Sequence, residues 1–130
     1  MDANVFGVQD QQEVEKRQDV LVYTSAPLET DLEVTGPIEV KLWAASSAPD
    51  TDFTAKLVDV WPDGKAYNLA QGIVRARYRE SLSKPKLLEP GKIYHYSIDL
   101  CATSNVFKAG HRIRVDISSS NFPWCDRNLN

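Results

Sequence analysis

With 130 residues, 42% of them hydrophobic and 25% charged, and with only six Gly and seven Pro, the chain has the make-up of one ordinary globular domain. Its formal net charge of -3 supplies no basic face for a polyanion, which excludes nucleic acid as a natural partner. No run approaches the roughly 18 apolar residues of a membrane span, and Met1 to Lys16 lacks the apolar core of a signal peptide. The chain is therefore expected to be soluble and off the membrane. Should it be a piece of a longer protein, the parent's compartment stays open.

Met1 to Asp19 is polar and reads as an N-terminal arm, with a weak helical pattern over 11–17 that has no apolar stripe to dock. Strand signals begin at Val20, so 20–130 is read as the folded domain. Val20 to Thr24 is a short β-branched and aromatic run stopped by Ser25-Ala26-Pro27. Ile38, Val40 and Leu42 alternate with Glu39, Lys41 and Trp43, a period of two with Gly36-Pro37 marking its start. Ser46 to Asp52 reads as a loop, and Phe53 to Trp61 as the next strand.

Trp61-Pro62-Asp63-Gly64-Lys65 is the most specific local signal. Proline presets φ for the first central position of a turn, and glycine supplies the left-handed residue of a bulged hairpin. The returning strand is expected over Ala66 to Arg79, with Arg75, Arg77 and Arg79 on a solvated face. Leu82 to Gly91, with two prolines, reads as a long crossover between sheets. Ile93 to Leu100 places Tyr94, Tyr96, Ile98 and Leu100 on one face; Asn105 to Gly110 is expected to turn the chain. Arg112 to Ser118 closes the series, with Ile113, Val115 and Ile117 inward and Arg112, Arg114 and Asp116 outward. About six strands joined by proline-bearing crossovers predict an all-β sandwich with Greek-key or jelly-roll connections.

The chemistry-bearing residues are sparse. There is no G-x-S-x-G elbow, and Ser118-Ser119-Ser120 reads as turn material at a strand end. His95 and His111 read as solvated or lightly hydrogen-bonded residues. Asp50, Asp52 and Asp59 are candidate calcium ligands, weighed against a solvated loop. Cys101 and Cys125 lack metal-ligand spacing and are read as two reduced, buried thiols, with a disulfide between them as the alternative. No cofactor and no metal is called for. Trp43, Trp61 and Trp124 leave open a second function class, a free-standing carbohydrate-binding or adhesion module.

Ordered blocks along the chain carry a resemblance. Asp19 to Ser25 with Pro27-Leu28, Leu32 to Pro37, Ala48 to Phe53, Leu57 to Val60, Pro62 to Gly64, Arg75 to Arg79, Ile117 to Pro123 and Arg127-Asn128 resemble the C-terminal domain of X-Pro dipeptidyl-peptidase and cocaine-esterase-like serine hydrolases. The wording is similar to the branch of α-amino-acid ester hydrolases and glutaryl acylases. The resemblance implies a jelly-roll, galactose-binding-like β-sandwich packed against an α/β-hydrolase domain that supplies the catalytic Ser, Asp and His. The implied role is to wall the active-site cleft and stabilise the parent, whose reaction is hydrolysis or acyl transfer on esters or amides. None of the triad has a counterpart here. Asn121, Phe122, Pro123 and Trp124, where the strand pattern breaks at a matched motif, are the candidate interface and cleft-wall residues; the alternative is a turn that buries one aromatic. The family continues beyond Arg127-Asn128 to complete the sandwich, whereas this sequence stops at Asn130. That implies missing last strands, or an open sheet edge suited to a homodimer or strand exchange.

Overall fold

The computed structural model describes residues 7–122 and 124–129. A four-residue helix α1 (Gln12–Glu15) precedes six strands: β1 (Val20–Thr24), β2 (Leu32–Ala44), β3 (Asp52–Val60), β4 (Ala66–Arg75), β5 (Tyr94–Phe107) and β6 (Arg112–Ser118). β1 pairs with β6, β2 with β5 and β3 with β4, all antiparallel. This nested pattern is that of one long hairpin, with the β3–β4 turn at its tip. Rolling it up brings β3 against β6 and yields a four-stranded sheet, β1-β6-β3-β4, facing the two-stranded sheet β2-β5. The result is an antiparallel β-sandwich of jelly-roll winding, as the alternation and turn chemistry predict.

The β3–β4 turn forms where its sequence requires it. Gly64 sits at φ +91, its N–H donates to the Trp61 carbonyl at 2.9 Å, and Trp61 N–H donates to the Lys65 carbonyl at 2.8 Å. Asp63 Oδ1 accepts from Lys65 N–H at 3.1 Å, the local Asx bond that suits Asp to this position.

The core lies between the sheets. Ala55 and Leu57 of β3, Ile117 of β6, and Ile98, Leu100 and Phe107 of β5 form its buried centre. Each large side chain among these contributes about 1.5–3 kcal/mol through burial. Along one flank the two sheets touch through backbone. A Cβ built on Gly72 of β4 would stand 2.0 Å from the Asp99 carbonyl oxygen of β5, so glycine alone permits this approach. On the other flank the sheets fail to match in width. Leu21 and Tyr23 pair with Ile117 and Val115 and therefore point toward the core side, yet are 55% and 60% exposed.

Several expectations are corrected. β2 starts at Leu32, and Gly36-Pro37 lies inside it rather than at its start. Gly36 takes φ +125, and the register breaks between Pro37 and Glu39, where Leu100 and Cys101 oppose Ile38 alone. This β-bulge places Cys101 at φ 67 and lets a 13-residue strand coil without breaking. β5 runs on through Phe107 instead of turning from Asn105, because Val34 and Leu32 of β2 remain to be paired. β4 stops at Arg75 and Ala76–Tyr78 is a 3-10 turn, so Arg77 and Arg79 are not on a strand face. Arg79 is folded inward: its guanidinium lies 4.3 Å above the Tyr94 ring and donates to the Ala76 and Lys86 carbonyls. It thereby fastens the long crossover, and Leu88 packs with Ala76 and Tyr96 in a second buried cluster.

Replacing Gly72 by Ala is expected to cost about 1–3 kcal/mol or more, since backbone has to yield on one side of the joint. Chemical denaturation of the two proteins checks this, with the neighbouring Ala70→Gly as a control that adds no Cβ.

Candidate functional site

The outer face of the four-stranded sheet is covered by two segments, the arm before β1 and the tail after β6. The arm has no apolar stripe, as its sequence indicates, but it is not a loose leader. Gln11 N–H donates to the Ala66 carbonyl at 2.7 Å, and Gln9 N–H donates to Asn68 Oδ1 at 2.7 Å. Gln11 itself is buried, and its side-chain oxygen accepts from Lys56 Nζ at 2.9 Å. Glu15 pairs with Arg114 of β6. Docking by polar bonds leaves no hydrophobic periodicity to read.

The tail is fastened at its far end. Asn128 Nδ2 donates to Thr51 Oγ1 at 3.0 Å and to the Ser119 carbonyl at 2.9 Å. Within the tail, Cys125 N–H donates to the Asn121 carbonyl at 3.1 Å, and Asn121 Nδ2 reaches Gln71 Oε1 at 3.5 Å. Phe122 is 69% exposed and Trp124 48%, so neither aromatic is buried by the turn. Pro123, the remaining candidate, lies outside the described residues. Asn121, Phe122 and Trp124 share a groove of about 260 Å³ with Gln9, Val14 and Asn68. The tail thus forms one wall and the arm the other.

Beyond Trp124 the surface changes character. Arg75 and Tyr78 adjoin the tryptophan, and Arg75 forms a two-point ion pair with Asp52, at 2.9 and 3.1 Å. Asp52 holds the guanidinium above its usual pKa, first by hydrogen bonding and then by charge. Arg77 likewise pairs with Asp50 at 2.6 Å. The three acidic residues considered for calcium are therefore dispersed and engaged, since Asp59 is taken by His111 at 2.9 Å. No cluster of three metal-ligating side chains occurs among the described residues.

Of the two readings of His111, solvated or lightly hydrogen-bonded, the structure shows the second: it bonds Asp59, both side chains are nearly buried, and its ring lies 5.4 Å from that of Trp61. His95 packs against Trp43 on the opposite sheet, the ring centres 4.7 Å apart and the planes tilted by 48°, and Trp43 is 65% exposed. Ser118 Oγ bonds Thr54 Oγ1 at 2.7 Å, tying β6 to β3. Ser118 ends β6 and His111 precedes its start, on the order of 20 Å apart at strand rise, so they do not form a nucleophile and base. Both cysteines are free, but Cys101 is exposed, contrary to the buried reading, because the bulge turns it outward.

Under the arm lies a group of charges that the alternation placed in solvent. Asp116 of β6 faces away from the core and is nevertheless buried, with neither carboxylate oxygen bonded. Burial, followed by the negative charge of Glu15, pushes its carboxyl up to about 6, against the pull of Arg114 and Lys56. Burial lowers the Lys56 ammonium, with Asp116 and Glu15 opposing. Outward phase in a strand signals only which side a residue takes, not whether another segment covers it.

The model of the X-Pro dipeptidyl-peptidase C-terminal non-catalytic domain matches residues 2–130. The cocaine esterase of Rhodococcus sp. (strain MB1 Bresler) is 57% identical over 124 residues, covering 95% of this chain and 22% of the relative. Among solved structures, an aminopeptidase from a marine sediment Thaumarchaeota archaeon superposes with a TM-score of 0.89 at 41% identity, over 93% of this chain and 21% of the other. An α-amino acid ester hydrolase gives the same TM-score of 0.89 and coverage of 93% and 21%, at 37% identity. The chain spans about a fifth of the length of these relatives.

Truncating Arg75 to Ala is expected to destabilise the domain by about 2 kcal/mol, because Asp52 is left buried without its donor. The double variant with Asp52→Asn should recover part of that loss in denaturant melts.

Proposed function

The chain belongs to the X-Pro dipeptidyl-peptidase C-terminal non-catalytic domain family, and from that premise we propose that it packs against an α/β-hydrolase domain, walls its active-site cleft and stabilises it. The reaction so served is hydrolysis or acyl transfer on esters or amides, carried out by a Ser, Asp and His that the partner domain supplies. The observation that carries this reading is the pair of exposed aromatics, Phe122 and Trp124, on a tail fastened to the sandwich by Asn128. Exposed large apolar side chains on an anchored backbone are what an interface uses, since they give up little conformational entropy on docking.

Phe122→Ala should barely alter the melting of the isolated chain, within about 0.5 kcal/mol for an exposed position, whereas Trp124→Ala, at a half-covered residue, should cost more. In a full-length hydrolase carrying this domain they should weaken domain association by about 2 kcal/mol each and shift kcat/KM. Unchanged kinetics together with unchanged melting of the full-length enzyme would remove these residues from the interface.

We further infer that the mismatch between the sheets serves association. Leu21 and Tyr23 leave a core-facing strip uncovered on β1, whose outer edge is unpaired in the four-stranded sheet. A strand from a second copy, added or exchanged there, would cover apolar surface and satisfy backbone groups at once. Sedimentation of the chain should reveal a concentration-dependent dimer that Tyr23→Lys abolishes; a strictly monomeric profile at high concentration contradicts this.

A further inference from the structure

Three carboxylate oxygens are buried under the arm without a donor, Oδ1 and Oδ2 of Asp116 and Oε1 of Glu15, and Arg114 brings the two residues together: it is ion-paired to Glu15 and lies two positions before Asp116 on the same face of β6. Asp116 is 4% exposed and projects from β6, whereas Glu15 belongs to α1 and gives its other oxygen to Arg114. Ionised carboxyl groups only accept, so two of them side by side leave lone pairs unmatched and charges opposed. One added proton converts an acceptor into a donor and resolves both problems.

We propose that Asp116 and Glu15 share a single proton, and that the resulting acid–carboxylate hydrogen bond latches the N-terminal arm onto the sheet and releases it when the proton leaves. The surrounding charges leave this proton in place. Lys56 from β3 is bonded to Gln11, Arg114 on β6 is bonded to Glu15, and Arg17 and Asp19, from the turn between α1 and β1, pair with each other at 2.5 Å. Across the sheet Asp116 has two register partners, the uncharged Val22 of β1 and Lys56 of β3, whose ammonium is turned to Gln11. The tail contributes only the uncharged Ser120, Asn121 and Phe122 to the adjoining cavity. That cavity, about 100 Å³ and also lined by Thr54 and Lys56, holds room for about three waters at liquid density once the bond opens.

The direction with pH follows from which state holds the proton more tightly. With the arm docked the Asp116 carboxyl titrates at about 6; with the arm released it meets water and returns to the ordinary carboxylate range. Docking therefore binds an extra proton between those limits, is strongest on the acid side, and weakens as pH rises through about 6. Between pH 5 and 8 the docking constant is expected to fall about tenfold. Release would expose Val14 further and dismantle one wall of the groove that holds Phe122 and Trp124. The latch is independent of what that groove binds.

The test is amide hydrogen exchange of Gln11 and Glu15 in the intact chain between pH 5 and 8, corrected for intrinsic rates, because the Gln11 N–H bonds the Ala66 carbonyl only while the arm is docked and the Glu15 N–H bonds the Gln11 carbonyl only while α1 is formed. Protection should fall about tenfold across that range, and Asp116→Asn, whose amide donates at every pH, should hold it flat. A carbon-13 titration should find the Asp116 carboxyl near 6, moving toward the ordinary range in Glu15→Gln. Flat protection in the unsubstituted chain, an undiminished fall in Asp116→Asn, or an Asp116 that titrates in the ordinary range would each overturn the proposal. If Asp116→Asn does not fold, the Glu15→Gln titration decides alone.

Discussion

Two sheets of unequal width have to close over one core, and most of the molecule follows from how they do so. Four strands face two. On the flank where β4 meets β5 the match is tight enough that only glycine fits at position 72, since any Cβ would collide with the Asp99 carbonyl. With that side fixed, the excess width appears at the opposite side, where Leu21 and Tyr23 face the core layer yet stay more than half exposed. A sandwich that exposes part of its inner surface is poorly suited to solitary existence and well suited to service inside a larger assembly. That agrees with a domain accounting for about a fifth of the length of its relatives.

The outer face of the wider sheet is handled by different chemistry. Arm and tail lie on it through amide, carboxylate and ammonium contacts, with Gln11, Asn68, Lys56 and Asn128 doing the joining. Polar docking is weaker per area than apolar docking and depends on protonation, because each buried acceptor requires a donor. The same two segments form the groove that carries Phe122 and Trp124. Anchoring the aromatics and sensing protons are in this way properties of one surface.

The sheet framework was legible in the sequence because alternation and turn chemistry are local. Ile98 and Leu100 against His95 and Asp99, and the Pro62-Asp63-Gly64 turn, announce their faces and their reversal within a few residues. What could not be read involves distant chain. Gly36-Pro37 resembles a strand start, yet a bulge opposite Cys101 absorbs it. Arg79 falls in phase with a strand face, yet the crossover folds over it. Asp116 lies outward between Val115 and Ile117, and its burial depends on an arm about 100 residues earlier in the chain. As for the candidate interface, its position was visible as a break in alternation. Its partner wall, built from Gln9, Gln11 and Val14, gave no apolar stripe, Val14 standing alone among polar residues.

The central claim is that the surface formed by arm and tail is the one that faces a hydrolase domain. Hydrogen–deuterium exchange compared between this chain alone and a full-length enzyme containing it addresses that claim most directly. The account predicts added protection in the peptides covering 7–15 and 119–129 of the full-length protein. It would be contradicted if those peptides exchanged equally in both, with the added protection falling instead on the outer face of β2 and β5 around Glu39, Trp43 and His95.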